Sequence, residues 1–190
     1  MSLVYRTLFP ALWLSWALYW AVRSQDVKRT ARREPVVSRL LHLVPLVLAL
    51  LLVAAPSIPG WVLCERFLPQ AAWPFWIGAA LTACGLLFAV WARRHIGTNW
   101  SGTVTLKEDH ELVTTGPYAI VRHPIYTGLL LALAGSAMAR GELRGLLAVV
   151  IATLALWRKL GLEERWMREQ FGARYDAYRQ RVAALIPFVL

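Results

Sequence analysis

Five apolar runs along 190 residues constrain this chain more than any other feature. A helix that crosses a bilayer needs about 20 mostly apolar residues, with a usual range of about 17–25. Residues 3–22 form the first run, interrupted only by Arg6 near its outer end and by Pro10. Residues 40–56 form the second and contain Pro45, and residues 71–92 form the third and cleanest. Runs at 124–139 and 143–157 follow, separated by Arg140-Gly141-Glu142, and read as a tight helical hairpin. One span plus a re-entrant piece is the alternative for that pair. The chain is 58% hydrophobic and 17% charged, against about 25% charged in an ordinary soluble domain. A core of this size cannot hide so much apolar surface, so the bilayer serves as solvent. The sequence predicts an all-α integral membrane protein, a single domain with five transmembrane helices.

Basic residues set its orientation, because Lys and Arg accumulate on the cytoplasmic side. Six lie between runs one and two, four between three and four, and seven after run five. Arg6, Arg66, Arg140 and Arg144 make only four on the opposite side. The N-terminus is therefore expected outside, with the C-terminal tail and the long 93–123 loop in the cytoplasm. The first run lacks a basic leader and a small-residue cleavage pattern, so it reads as a span and not as a signal peptide. The net charge of +10 is explained by anionic headgroups at the span ends. No nucleic-acid motif accompanies it, and no obligate protein partner is evident. Cys64 in an outer loop and Cys84 within the third run have no metal-ligand spacing and read as ordinary thiols.

The polar residues concentrate in the 93–123 loop and after Trp157. A loop of that length is more often functional than a plain connector, and Gly and Pro punctuate it. Pro124 suits the first turn of a helix and biases His123 away from helix. His123 then sits among exposed amides at the positive end of the fourth span. A helix-start proline beside a surface histidine is the plainer alternative. Met167, Phe171, Tyr175, Tyr178, Val182 and Leu185 recur at steps of three and four, which predicts an amphipathic helix over about 163–185. Gly172 is expected to be tolerated inside it at some cost. Glu163 and Glu164 follow the fifth run almost directly, where carboxylates are expensive unless solvated, paired or bound. On that stretch alone, a salt bridge to Arg158 or Arg165 accounts for them.

Together these pieces resemble the isoprenylcysteine carboxyl methyltransferase family of integral membrane enzymes. The matching residues are Gly116-Pro117-Tyr118, then Arg122-His123-Pro124-Ile125-Tyr126-Thr127-Gly128, then Glu163-Glu164, Phe171-Gly172, Tyr175, Tyr178 and Ile186-Pro187. His110-Glu111-Leu112-Val113 also fits. The resemblance covers roughly the C-terminal half, from about Gly97 to Pro187; the first two runs match only in being hydrophobic.

The resemblance implies methyl transfer from S-adenosylmethionine to a lipophilic acceptor, the carboxylate of an isoprenylcysteine-like substrate entering from the bilayer. The implied cofactor contacts are His110, Glu111, Leu112, Val113, Tyr118, His123, Pro124, Ile125, Tyr126, Glu163 and Glu164. The cytoplasmic loop and the C-terminal amphipathic helix would form the cofactor pocket. The family's acceptor-side arginine falls on Lys159 here, with Arg158 beside it. Lysine supplies charge without a guanidinium's bidentate fork, so either Arg158 takes the role or the acceptor differs.

A carboxylate is ionised at neutral pH and needs no base; positioning and water exclusion carry the rate. No Gly-rich dinucleotide fingerprint follows a strand. A phospholipid amine or a small thiol is the alternative acceptor. A membrane reductase of related architecture, or a non-enzymatic membrane protein, is the alternative outside methyl transfer.

Overall fold

The computed structural model describes residues 2–24, 30–100, 105–107 and 111–187. Among them are helices α1 (Ser2–Arg23), α2 (Val36–Ala54), α3 (Ala72–Ile96), α4 (Pro117–Ile120), α5 (Pro124–Arg140), α6 (Leu143–Phe171) and α7 (Ala173–Arg181). A two-stranded antiparallel ribbon, β1 (Thr30–Arg33) with β2 (Thr105–Lys107), ties the first connection to the 93–123 loop. Among the described residues the regular structure is helical apart from this ribbon, which hydrophobic periodicity did not anticipate.

Three of these helices, α2, α3 and α6, are long and apolar enough to cross a membrane. Their large apolar side chains point outward: Leu43, Val47, Leu51, Leu87 and Leu154 are all exposed. In water such a surface would aggregate; in lipid it is the solvated face. The chain is an integral membrane protein. Helix α1 is rich in Trp and Tyr, and α5 has 17 residues, so α1 is less apolar and α5 shorter than these three.

Helices α3 and α5 pack closest, because both carry glycines seven residues apart on the facing side. Gly78 lies against Gly135, and Gly85 against Gly128, in antiparallel register. A Cβ at Gly85 would stand 2.6 Å from Ala132 N, and one at Gly135 the same distance from Thr82 N. Small residues let backbones approach in this way when no hydrophobic force drives helices together in lipid. Thr82 Oγ1 adds a bond across the seam to Ala132 O (3.1 Å) and contacts Ser136 Oγ (3.2 Å). Helix α1 joins through Trp13 Nε1, which donates to Ser136 Oγ at 3.1 Å, and through Phe9 against Phe75.

The α5–α6 turn is closed by charge. Gly141 takes φ +69° and ends α5. Arg144 is fully buried and donates to Glu142 (2.7 Å), Ser57 Oγ (3.3 Å) and Pro56 O (3.2 Å). Arg140 donates to Val53 O and Ala55 O. These carbonyls end α2 and have no intrahelical donor of their own, so the two arginines pin α2 to the hairpin. The partners hold the Glu142 carboxyl below its usual range despite its burial: Ser57 and Arg144 through hydrogen bonds, Arg140 and Arg144 through charge.

Two boundaries differ from the sequence expectation. The fifth apolar run does not end its helix at 157; α6 continues to Phe171 and carries Glu163 and Glu164 within it. The amphipathic helix expected over 163–185 is therefore two pieces. Gly172 takes φ +51° and breaks the chain between α6 and α7, and helix stops at Arg181, leaving 182–185 extended or bent. Glycine's freedom at positive φ made a turn cheaper than continuation.

Candidate active site

The site gathers where α2 begins, α3 ends, α5 begins and α6 emerges from its apolar part. Adjacent residues on a helix point about 100° apart, so Glu163 and Glu164 face different neighbours.

Glu164 is enclosed by cations. Arg122 reaches its Oε1 with two nitrogens, Nε at 2.8 Å and Nη2 at 2.7 Å. Arg179 Nε stands 3.0 Å from Oε2, and His123 Nε2 stands 3.4 Å from Oε1. Arg122 also donates to the carbonyls of Arg179 and Val182. Its backbone N–H and that of His123 donate to Ala183 O and Ala184 O, and Thr127 Oγ1 donates to Leu185 O. The 182–185 segment is thereby strapped across the start of α5. Tyr178 Oη donates to Tyr118 O at 2.5 Å and fastens α7 to α4.

Glu163 is the more open carboxylate, with 23% of its side chain exposed against 10% for Glu164. Tyr126 Oη donates to its Oε1 at 2.5 Å. His123 Nδ1 lies 3.5 Å from Oε2, and Lys159 Nζ lies 3.9 Å from Oε1. The His123 and Tyr126 rings stack 5.5 Å apart at an interplanar angle of 4°, and Lys159 Nζ sits 5.2 Å over the Tyr126 ring. Burial alone would push the His123 imidazole down. Hydrogen bonds to Glu163 and Glu164, and their charges, override it and hold the pKa above its ordinary value. His123 thus stands between two carboxylates that favour its protonated form.

Pro124 opens α5 as expected, with His123 non-helical at φ −122°, ψ 62°. Ile125 packs against the cluster of Tyr126, Leu156, Leu160, Ala184 and Leu185. Tyr118 is buried on α4, with His95 stacked 6.4 Å away. That approach needs Gly116, whose φ is +59° and where a Cβ would stand 2.7 Å from the His95 ring.

The fold brings together His123, Pro124, Ile125, Tyr126, Glu163, Glu164 and Lys159. Arg158 does not reach Glu163; it borders the site on the α2 side, where its guanidinium donates to Ser38 O (3.0 Å) and Ser38 Oγ (3.2 Å). Glu111, Leu112 and Val113 lie in irregular chain ahead of α4, and His110 falls outside the described residues. Among the described residues, no group of three or more His, Cys, Asp or Glu is placed to hold a metal ion. Sequence reasoning did not assign Arg122 and Arg179. Arg122 stood inside the quoted Arg-His-Pro motif, but its partner lies 42 residues away.

This geometry has known relatives. A model of the phospholipid methyltransferase family matches residues 73–174, more than half of the chain. A probable protein-S-isoprenylcysteine O-methyltransferase of Oryza sativa subsp. indica is 36% identical over 87 residues, covering 44% of each chain. Methanethiol S-methyltransferase 1 of Bradyrhizobium diazoefficiens is 40% identical over 72 residues, 37% of this chain and 24% of that protein. The chain therefore spans less than half the length of these curated relatives. Among solved structures, a eukaryotic intramembrane Ras methyltransferase, isoprenylcysteine carboxyl methyltransferase, superposes with a TM-score of 0.58 at 23% identity. It covers 80% of this chain and 52% of its own, and shows a shared fold. The family match includes α3, α4, α5 and α6 with both glutamates, and on it the chain belongs to the phospholipid methyltransferase family.

Proposed function

We propose that the protein transfers a methyl group from S-adenosylmethionine to a lipophilic acceptor at the membrane, the carboxylate of an isoprenylcysteine-like substrate. The observation that carries this is the cluster on Glu163: a partly exposed carboxylate, an imidazole, a phenol and an ammonium gathered just beyond the apolar part of α6. The relatives named for O-methyl transfer to isoprenylcysteine support the acceptor. When bound, the cofactor supplies an electrophilic methyl on a sulfonium.

The donor set suits such a molecule. Glu163 can accept from its amino or hydroxyl groups. Tyr126 and His123 offer aromatic rings against which an adenine could pack, and Tyr118 closes the α4 side. Pro124 and Ile125 shape the wall at the start of α5, and Glu111, Leu112 and Val113 lead the chain toward it. Glu164 holds the wall in place through Arg122 and Arg179. Lys159 is the acceptor-side cation, since Arg158 is engaged by Ser38. An ionised carboxylate attacks without a base, so this chain's task is alignment and exclusion of water. The strap at 182–185 supports the reading that the tail covers the pocket.

The charge distribution supports five spans, α1, α2, α3, α5 and α6. The N-terminus would be outside and the pocket on the cytoplasmic side, where the cofactor is made.

A thiol acceptor is the second reading, supported by the likeness to a methanethiol S-methyltransferase. Methyl transfer to a prenylcysteine analogue by the purified protein in lipid, followed with labelled cofactor, tests the proposal. Transfer abolished by Glu163→Ala, in a variant that keeps its thermal unfolding, is the expected result. Transfer to a small thiol but to no prenylcysteine carboxylate overturns the acceptor, and transfer unchanged in the variant overturns the site.

A further inference from the structure

Helix α2 carries a buried ionisable pair that lies outside the family match. His42 sits within an otherwise apolar run, and Glu34 lies just before the helix. Their Nε2 and Oε1 atoms are 3.5 Å apart, with side-chain exposures of 4% and 0%. An ionisable residue in the apolar stretch of a membrane helix is expensive and functional by default, its partner named with it. His42 Nδ1 is buried with no hydrogen-bond partner, although buried polar nitrogens are nearly always paired.

The pair faces the candidate site. Ser38, one turn before His42, receives Arg158 of α6. Leu46, one turn after, packs into the cluster of Tyr126, Leu156 and Leu160. His42 therefore lies on the stripe of α2 that meets α6 beside Lys159. The groups within electrostatic reach of it are Glu34 ahead of its own helix and Arg158, Lys159 and Glu163 on α6. Glu34 also acts on Tyr126 of α5.

We infer that His42, oriented by Glu34, is the second donor to the acceptor's carboxylate, acting beside Lys159. The inference rests on the carboxylate reading above and deepens it. A lysine alone cannot grip a carboxylate at two points as an arginine fork does. With Nε2 turned to Glu34, His42 Nδ1 becomes a donor when the ring takes up a proton with the acid, and His42 and Lys159 then grip the carboxylate from two helices.

The test is direct binding of N-acetyl-S-farnesylcysteine and of its carboxamide to the full chain in lipid, read by tryptophan fluorescence. S-adenosylmethionine binding is measured in parallel. Wild type should prefer the acid over the amide. His42→Ala should weaken acid binding at least ten-fold, leave the amide within two-fold, and leave cofactor binding unchanged. His42→Gln, which keeps a donor, should recover most of the acid affinity. Equal losses for acid and amide, or no loss for the acid, overturn the inference. Wild type that binds acid and amide equally overturns the carboxylate reading itself, whereas failure to bind cofactor strikes only the cofactor assignment.

Discussion

Removing the Glu164 carboxylate should loosen the tail more than any single change in α7. Glu164 and Arg122 are both about nine-tenths buried at 2.7 Å, and breaking such a pair by removing one partner costs about 3–5 kcal/mol. The contact to Arg179 adds little, because that side chain is 31% exposed and exposed pairs contribute about 0–1 kcal/mol. His123 retains Glu163 and so loses one of two anions. The expected cost of Glu164→Ala is about 3–5 kcal/mol, concentrated in the docking of residues 173–187. Denaturant unfolding in mixed micelles reads the total. Trypsin, which has Arg174, Arg179 and Arg181 available in α7, reads the location. In an Arg122→Ala background, Glu164→Ala should cost far less than it does alone, because the two share one interaction. A loss below about 1 kcal/mol, with no gain in trypsin sensitivity, would refute the view that Glu164 clamps the tail.

Other predictions follow the same geometry. Gly135→Val should destabilise by at least about 1–3 kcal/mol, because overpacking there meets backbone and Thr82 N would lie 2.6 Å from the new Cβ; unfolding in micelles measures it. Gly172→Ala meets nothing within 4 Å and should cost only the strain of its φ +51°, ψ −129° backbone, about 1–3 kcal/mol, in the same assay. Because the folded pKa of His123 is raised, its stabilising charge is fully present below about pH 6.5. That contribution is lost as pH rises through the raised value. His123→Gln should flatten this decline in a stability-against-pH series. Tyr126→Phe removes the donor to Glu163 and should weaken cofactor binding several-fold, as calorimetry would show.

Much of the frame was legible in the residues. Pro124 marks the start of α5, and Arg140-Gly141-Glu142 marks the hairpin, because proline and glycine act locally. The motif residues His123, Tyr126 and Glu163 do come together, since their order along two helices leaves little choice. What the sequence hid was long-range or non-periodic. Hydropathy stops at residue 157 while the α6 hydrogen-bond ladder continues to Phe171. Gly172 has the composition of a tolerated helix residue but the φ of a break. The enclosure of Glu164 by Arg122 and Arg179 joins three elements. The facing of Ser38, His42 and Leu46 toward α6 depends on packing that no local pattern specifies.

The central claim is that Glu163 belongs to a pocket for S-adenosylmethionine. Calorimetric titration of that cofactor into the purified wild type and into Glu163→Ala tests it most directly. Saturable binding by the wild type, lost in a variant that unfolds like the wild type, is the predicted result. Absence of binding by folded wild type in both detergent and lipid, or equal binding by the variant, would contradict it.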